Sequence, residues 1–292
     1  MQMHKRKWRM LVPLTAALVT VMFTGCASSG GKQTTAGEGL DQLGAITVVA
    51  REEGSGTRTV FAESLGFTDS NTGRDQTTDQ AEIADGTDKV LEHVGSNAAA
   101  IGYVSAATLA REDTDVHTVT VDGKDLNRNF YLVYSGNQSD LESDFLSYIQ
   151  GAGQKIVAEY AKPIHKETSF LSMKPKGTLR VGGSTSVAGM MKELADAYMK
   201  LNPNADVEVV ETDSTNGLTG TMDGSYDLGM SSRDLKDYEK ELLESVVIAK
   251  DEIQVIVNKD NPLSNIASAD LKNIYTGQIQ DWEDLKAGTT DK

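Results

Sequence analysis

Cysteine and histidine are scarce in this sequence, with one cysteine and four histidines among 292 residues. A single cysteine excludes a disulfide within the chain and leaves no ligand set for a Cys/His zinc site. The histidines lie far apart and lack the HExxH spacing of zinc hydrolases. These absences disfavour metal-dependent hydrolysis and predict that the protein holds no metal and no cofactor.

Basic residues are also few, since 28 lysines and arginines stand against 43 aspartates and glutamates, a formal net charge of −15 at pH 7. A nucleic-acid-binding protein needs a basic face to displace counterions from phosphates, so this balance argues against nucleic acid as a partner. Hydrophobic residues make up 39% of the chain and charged residues 24%, which is enough for a packed core. The length favours two domains over one.

Residues 1–25 are predicted to be a signal peptide. Residues 1–9 carry four basic side chains and no acidic one, and residues 10–23 are mostly apolar. That apolar run is shorter than the roughly 20 residues of a membrane-spanning helix, and a basic start before a short apolar core is typical of secretion. The sole cysteine, Cys26, follows Phe23-Thr24-Gly25 and resembles the lipidated cysteine of a bacterial lipobox, although leucine is usual where Phe23 stands. The alternative is an ordinary signal peptide with an unrelated cysteine.

Residues 26–43 are rich in Gly, Ser, Thr and Ala, a composition typical of a flexible tether. Export, a lipid on Cys26 and a tether together predict an extracytoplasmic body anchored to the bacterial cell membrane. We expect the folded body to begin near residue 44.

Four strand-like runs are each followed by a loop of small hydroxyl residues and then by a helical pattern. The runs are residues 46–50, 178–181, 207–210 and 227–230, and the loops that follow them read REEGSGT, GGSTS, DSTNG and SSRD. Strands that alternate with helices predict a mostly parallel sheet, and ligands bind at the carboxyl ends of such strands. A helix start offers unpaired backbone N–H groups, so these loops could hold a small anion. Each loop alone could equally be an ordinary helix N-cap.

Arg51, which opens the first loop, is the most specific of these features, because a guanidinium fork matches a tetrahedral oxyanion. Glu53, two residues later, is predicted to hold the arginine; an ordinary surface ion pair is the alternative. The sequence has no Gly-x-Ser-x-Gly elbow, no Walker loop and no paired Ser–His spacing, so we expect no enzyme activity.

The loop motifs together resemble the phosphate-binding proteins of bacterial ABC importers, the Pst-type substrate-binding proteins. The resemblance lies in segments 50–58, 101–105, 183–186, 213–215 and 229–234, with further support at 153–157, 275–277 and Trp282. It spans nearly all of residues 44–285. It implies an α/β, two-lobed periplasmic-binding-protein-like fold of type II, with the ligand between the lobes.

The order of the segments differs from that of typical family members, in which the Gly-Ser-Thr-Ser segment comes first. The chain therefore resembles a circularly permuted member, a change that is easily tolerated if the joined ends lie together on the surface. We expect one lobe to comprise residues 44–127 plus 251–292 and the other residues 128–250. The apolar runs 130–134 and 253–257 are the expected crossings between the lobes; the alternative is that they are plain core strands.

The resemblance also implies the ligand contacts. Ser232 stands where some members place a carboxylate that accepts the proton of hydrogenphosphate. The expected phosphate-binding residues are Arg51, Ser55, Gly56, Thr57, Thr185, Ser186, Ser214 and Ser232, with Glu53, Ser184 and Asp234 in support.

The function expected from the resemblance is that of an extracytoplasmic solute-binding lipoprotein, monomeric, that captures inorganic phosphate and delivers it to the permease subunits of an ABC transporter. A receptor for another oxyanion, such as sulfate or molybdate, is the first alternative. A serine-dependent hydrolase built on Ser55 or Ser184 and an adhesive or signalling lipoprotein with a vestigial pocket remain open as well.

Overall fold

The computed structural model describes residues 39–111 and 114–285. The predicted signal peptide, Cys26 and most of the predicted tether lie outside the described residues. The strands are β1 (Thr47–Arg51), β2 (Glu82–Ala84), β3 (Ala100–Ser105), β4 (Val116–Asp122), β5 (Asn127–Tyr134), β6 (Lys162–Pro163), β7 (Gly177–Ser184), β8 (Ala205–Thr212), β9 (Leu228–Ser231), β10 (Glu244–Asn258) and β11 (Asn265–Ala267).

The helices are α1 (Gly56–Leu65), α2 (Thr87–Ser96), α3 (Ala106–Leu109), α4 (Asp140–Gln150), α5 (Gln154–Tyr160), α6 (Thr185–Leu201), α7 (Ser214–Met222), α8 (Asp237–Lys240) and α9 (Ser268–Tyr275). Short 3-10 helices lie at Leu40–Gln42 and Trp282–Asp284. In the part of the chain that the structure describes, none of the helices combines the length and the apolar character needed to cross a bilayer.

The described strands form one sheet whose main path runs β2-β1-β3-β10-β5-β9-β7-β8. The four strands expected from the sequence are present as β1, β7, β8 and β9. The expectation of a mostly parallel sheet is wrong. Pairs such as β1 with β3 and β7 with β8 are parallel, but β10 runs antiparallel to β3, β4, β5 and β6, so the sheet is mixed.

Strand β10 divides this sheet into two lobes. Its first part pairs with β5 as far as Glu252, and its second part pairs with β3 from Ile253 onward. We call β1–β4, β11 and the second part of β10 the first lobe, and β5–β9 with the first part of β10 the second lobe. The change of partner lies beside the expected boundaries at 127/128 and 250/251; the residue bounds of the lobes as separate bodies stay a prediction.

Neither expected crossing coincides with a passage between the lobes. Residues 253–257 belong to β10, but they pair with β3 and β4 in the first lobe, and the passage lies just before them, between Glu252 and Ile253. Residues 130–134 lie wholly within the second lobe, because β5 is held there by β9 on one side and β10 on the other. The second passage is the short connection between β4 and β5, where the Ile253 backbone N–H donates to the Leu126 carbonyl at 2.9 Å.

Each lobe buries its own apolar cluster against the sheet. Helix α6 shows how the sequence builds one. Its apolar residues recur every three or four positions, so Met190, Met191, Leu194 and Tyr198 share one buried face against the sheet of the second lobe. In the first lobe, a separate cluster gathers around Phe61, whose ring stacks on a neighbouring tyrosine with centroids 4.0 Å apart. The two clusters hold in place the strand ends that lie between them.

The two ends of the described chain lie side by side on the first lobe. Ala45 forms an antiparallel bridge with Asp281, and the Ile46 backbone N–H donates to the Gln280 carbonyl at 2.7 Å. Trp282 is fully buried, and its indole Nε1–H donates to the Ala99 carbonyl at 2.9 Å. Such adjacency is expected of the two ends that a circular permutation opens in a chain that is otherwise continuous there.

Candidate functional site

The loop after β1 brings a buried arginine next to a helix start. Arg51 is the last residue of β1 and is 2% exposed. Gly54 turns the chain with a φ of 93°, a conformation that favours glycine. Ser55 then caps α1 by accepting a hydrogen bond from the Arg58 backbone N–H at 3.4 Å. The positively polarised start of α1 therefore faces the same side as the arginine.

Hydroxyl side chains from both lobes meet at this helix start. The Thr57 and Ser186 Oγ atoms, from the first turns of α1 and α6, lie 2.9 Å apart. Ser184 Oγ donates to Ser232 Oγ at 2.9 Å, and the Ser214 and Ser232 Oγ atoms are 3.3 Å apart. Because parallel strands end at one edge, the hydroxyl residues that follow β7, β8 and β9 converge there. We call Thr57, Ser184, Ser186, Ser214 and Ser232 the hydroxyl cluster.

Gly56, the first residue of α1, fills the narrowest point between the lobes. A Cβ atom added there would lie 2.7 Å from Ser232 Oγ and would overlap Ser214 Oγ. No side chain fits at this position while the lobes are together. Gly56 therefore lets the backbone at the start of α1 approach the second lobe closely.

Arg51 connects the two lobes through hydroxyl groups. Its Nη1 donates to Thr87 Oγ1 at 3.2 Å, at the start of α2, and its Nη2 donates to Thr185 Oγ1 at 3.0 Å, at the start of α6. The two threonine oxygens lie 3.2 Å apart. These contacts direct the Nη1 and Nη2 edge of the guanidinium toward the starts of α2 and α6.

The expectation that Glu53 holds Arg51 is wrong. Glu53 is exposed, whereas the Glu52 carboxylate accepts Arg51 Nε at 2.7 Å and Arg51 Nη2 at 2.6 Å. Glu52 also accepts the Gly86 backbone N–H at 3.3 Å, which ties it to the loop before α2. The glutamate that directly follows the strand turns back over the arginine, while the next one points to solvent.

Asp234 does not reach the hydroxyl cluster. It is exposed and accepts a hydrogen bond from the Tyr131 hydroxyl at 2.6 Å. Its neighbour Arg233 turns inward instead, and forms a buried ion pair with Glu239 at 2.8 Å. Ser232 therefore lies in the hydroxyl cluster, and the carboxylate of its own loop, Asp234, does not lie beside it.

Sequence reasoning missed a second buried arginine. Arg128, at the start of β5, is 6% exposed and pairs with Asp251 of β10, which faces it directly in the strand register. Arg128 Nε donates to Asp251 Oδ2 at 2.9 Å, and Arg128 Nη1 donates to Thr57 Oγ1 at 2.6 Å. Ser105 also donates to Asp251, at 2.9 Å. The available signal was a charged residue among the polar residues 127–129, which open a strand that is apolar from Phe130 onward.

Burial is the largest influence on the pKa of Arg128 and lowers it; Asp251 opposes this effect, while the charge of Arg51 lowers the pKa further. Each arginine is paired with a carboxylate, and both lie near helix starts, whose unpaired backbone N–H groups can hold an anion. In the described segments, no three His, Cys, Asp or Glu side chains are grouped as metal ligands. A cavity of about 330 Å³, lined by Thr87, Thr185 and Ser186 among others, opens beside the cluster.

Known proteins with similar sequences share nearly the full length of this chain. The phosphate-binding protein PstS 2 of Streptococcus pneumoniae is 34% identical over 290 residues, covering 94% of this chain and 98% of the relative. The PstS 2 protein of Streptococcus agalactiae is 31% identical over 302 residues, covering 97% and 99%. The chain belongs to the PstS family of phosphate-binding proteins.

A solved structure agrees with this membership. The crystal structure of a phosphate-binding protein of a phosphate ABC transporter from Streptococcus pneumoniae superposes with a TM-score of 0.66 at 35% identity, covering 83% of this chain and all of that one. Residues 168–292 also match the model of the PBP superfamily domain. The PstS-family chain thus has the two-lobed periplasmic-binding-protein fold.

The PstS alignments also bear on segment order. Because they run through almost the whole length of both partners, the streptococcal relatives present their segments in the same order as this PstS-family chain. The permutation relative to typical members, inferred from the resemblance, stays a prediction.

Proposed function

We propose that this protein is an extracytoplasmic solute-binding lipoprotein that captures inorganic phosphate between its lobes and delivers it to an ABC permease. The observation that carries the proposal is the convergence of Arg51 and the starts of α1, α6 and α7 on one hydroxyl cluster drawn from both lobes. The PstS relatives, which carry phosphate-binding names, give the chemical class of the ligand. The ligand contacts would be Arg51, Ser55, Gly56, Thr57, Thr185, Ser186, Ser214 and Ser232.

Binding requires no covalent step. Lobe closure removes water from the cleft, and each charge-assisted hydrogen bond to the anion gains strength in the lower dielectric. Micromolar affinity needs only about −8 kcal/mol, which a few such bonds can leave after desolvation. The negative charge of the whole chain opposes binding weakly, since charges farther than about 8 Å are screened at physiological salt.

A hydrolytic role for the serines has little support in their surroundings. Within the described residues, the Ser184 hydroxyl contacts Ser232, and Ser55 caps α1. Neither serine is hydrogen-bonded to a histidine or lysine that could act as a general base. We therefore propose a receptor and not an enzyme, held at the membrane by a lipid on Cys26 and acting as a monomer.

A second oxyanion receives support from one observation. Among the described residues, the Ser232 side chain hydrogen-bonds only to the hydroxyls of Ser184 and Ser214, so this corner can donate to any tetrahedral anion and does not demand a protonated one. Sulfate is therefore the second candidate ligand.

Titration calorimetry tests the proposal. We expect inorganic phosphate to bind the wild-type protein and to resist displacement by excess sulfate. Arg51→Ala should cost at least about 2 kcal/mol of binding free energy, because it removes a desolvated charge-assisted pair. Arg180→Ala is the matched control, since Arg180 lies on the exposed part of β7 and donates to the Ser225 carbonyl. Wild-type affinity in the Arg51 variant would remove this residue from the site, and no binding by the wild type would refute the phosphate assignment.

A further inference from the structure

Arg128 lies where the two lobes are joined and is fixed on three sides. Asp251 faces it across two antiparallel strands, with Nη2 2.9 Å from Asp251 Oδ2, and the Arg128 and Asp251 side chains are only 2% and 1% exposed. The guanidinium carbon lies 5.2 Å from the centre of the Phe130 ring. A charge held this firmly and this deeply has little freedom to point anywhere else.

The third contact of Arg128 reaches into the hydroxyl cluster. Arg128 Nη1 donates to Thr57 Oγ1 at 2.6 Å, and Thr57 Oγ1 lies 2.9 Å from Ser186 Oγ. An arginine has only donors, so Thr57 must accept in this contact. The Thr57–Ser186 pair carries two hydroxyl protons; one joins the two oxygens, and the other is free to donate to a further acceptor.

This contact biases the polarity of the corner. Because Arg128 occupies one acceptor position of Thr57, the pair keeps one free hydroxyl proton and has one fewer free lone pair for whatever enters between α1 and α6. Arg128 Nη2 lies next to Asp251 Oδ2, so the charge of the arginine is paired with that carboxylate. The free hydroxyl proton of the Thr57–Ser186 pair is what favours an anion at this point.

We propose that Arg128 is a positioning residue for the anion site: through Thr57 and Ser186 it biases the hydroxyls in the first turns of α1 and α6 toward donating to an anion, next to the point where β10 joins the lobes. This inference rests on the proposed function, since it assigns a specificity role within the same site. Arg51 reaches the start of α6 through Thr185, and Arg128 reaches it through Thr57 and Ser186. Two buried arginines are therefore linked to the same helix start.

A double-mutant cycle with inorganic phosphate tests the relay. Arg128→Lys keeps a positive charge for Asp251, but a lysine cannot hold the carboxylate and Thr57 together. We expect Arg128→Lys and Thr57→Val each to weaken phosphate binding about tenfold or more, and the double variant to be within about twofold of the weaker single variant. Arg180→Lys, on the surface of the same lobe, should bind within about twofold of wild type.

The controls separate the relay from simple loss of structure. The unfolding temperature of each variant is measured without phosphate, and Thr57→Ser, which keeps the hydroxyl, should restore near-wild-type affinity. If Arg128→Lys does not fold, the charge-neutral pair Arg128→Met with Asp251→Asn replaces it, because that pair leaves no buried ion without a partner.

The outcomes are distinguishable from those of the proposed function. Failure of the wild type to bind phosphate overturns the proposed function and this inference with it. Phosphate binding by the wild type with unchanged affinity in Arg128→Lys, or in the charge-neutral pair, overturns this inference alone. Losses that add up in the cycle would mean that Arg128 does not act through Thr57, and would also overturn it.

Discussion

Gly56→Ala should prevent the lobes from closing while leaving each lobe folded. The new Cβ atom would lie 2.7 Å from Ser232 Oγ and 3.0 Å from the Arg233 backbone nitrogen, and closer still to Ser214 Oγ. All three atoms belong to the second lobe, whereas Gly56 starts α1 in the first. Ordinary contact between heavy atoms begins near 3.5 Å, so the methyl group would hold the two surfaces roughly 1 Å farther apart.

The size of the effect follows from the cost of overpacking. Extra methyl groups in a well-packed place cost about 1–3 kcal/mol. If this cost falls on the closed, ligand-bound form, the dissociation constant for phosphate rises by roughly 5- to 150-fold. The unliganded protein can relieve the clash by opening, so its unfolding temperature should change little.

Calorimetry with phosphate, paired with thermal unfolding, measures both quantities. Gly95→Ala is the matched control: Gly95 lies within α2, and a Cβ atom there would meet nothing closer than 3.7 Å. That control should bind as wild type does. Wild-type affinity in Gly56→Ala would show that the lobes do not close upon this residue, and a large loss of unfolding temperature would show that the cost falls on folding instead.

Two further predictions concern carboxylates. Glu52→Gln should weaken phosphate binding by roughly three- to tenfold, because a neutral amide holds Arg51 less firmly. Glu53→Gln should bind phosphate within about twofold of wild type. Calorimetry measures both affinities, and equal effects of the two substitutions would contradict the assignment of Glu52 as the partner of Arg51. Burial raises the pKa of Glu239, but hydrogen bonds, chiefly from Arg233, outweigh it and hold that pKa below its ordinary value. The folded state then binds fewer protons than the unfolded state, so this contribution to stability is present above about pH 4.3 and is lost as the pH falls through the lower folded value. Urea unfolding should show the stability gap between wild type and Glu239→Gln narrowing on acidification; a gap independent of pH would refute the reasoning.

The positions of the loops could be predicted from the sequence because the signals are local. Each strand runs directly into a Ser, Thr or Gly loop and a helix, and parallel strands bring their carboxyl ends to one edge. That logic placed the hydroxyl loops at strand ends, whereas the assignment of Thr57, Ser186 and Ser214 to the same site as Arg51 came from the family resemblance.

What could not be predicted depends on pairing between distant segments. Arg128 meets Asp251 only because β5 lies beside the first part of β10, and nothing in the spacing of either strand indicates that neighbour. Which of Glu52 and Glu53 pairs with Arg51 could not be predicted for a different reason. Both are glutamates beside the same arginine, and only the direction of the backbone after β1 decides which one folds back.

The neighbouring ends of the described chain have a practical consequence. Because Ala45 and Asp281 are bridged on the first lobe, the second lobe is joined to the rest only through the β4–β5 connection and β10. A fluorescent protein or a solid support fused at either end would be attached to the first lobe alone. The second lobe would carry no attachment, which makes the chain a convenient starting point for an immobilised anion sensor.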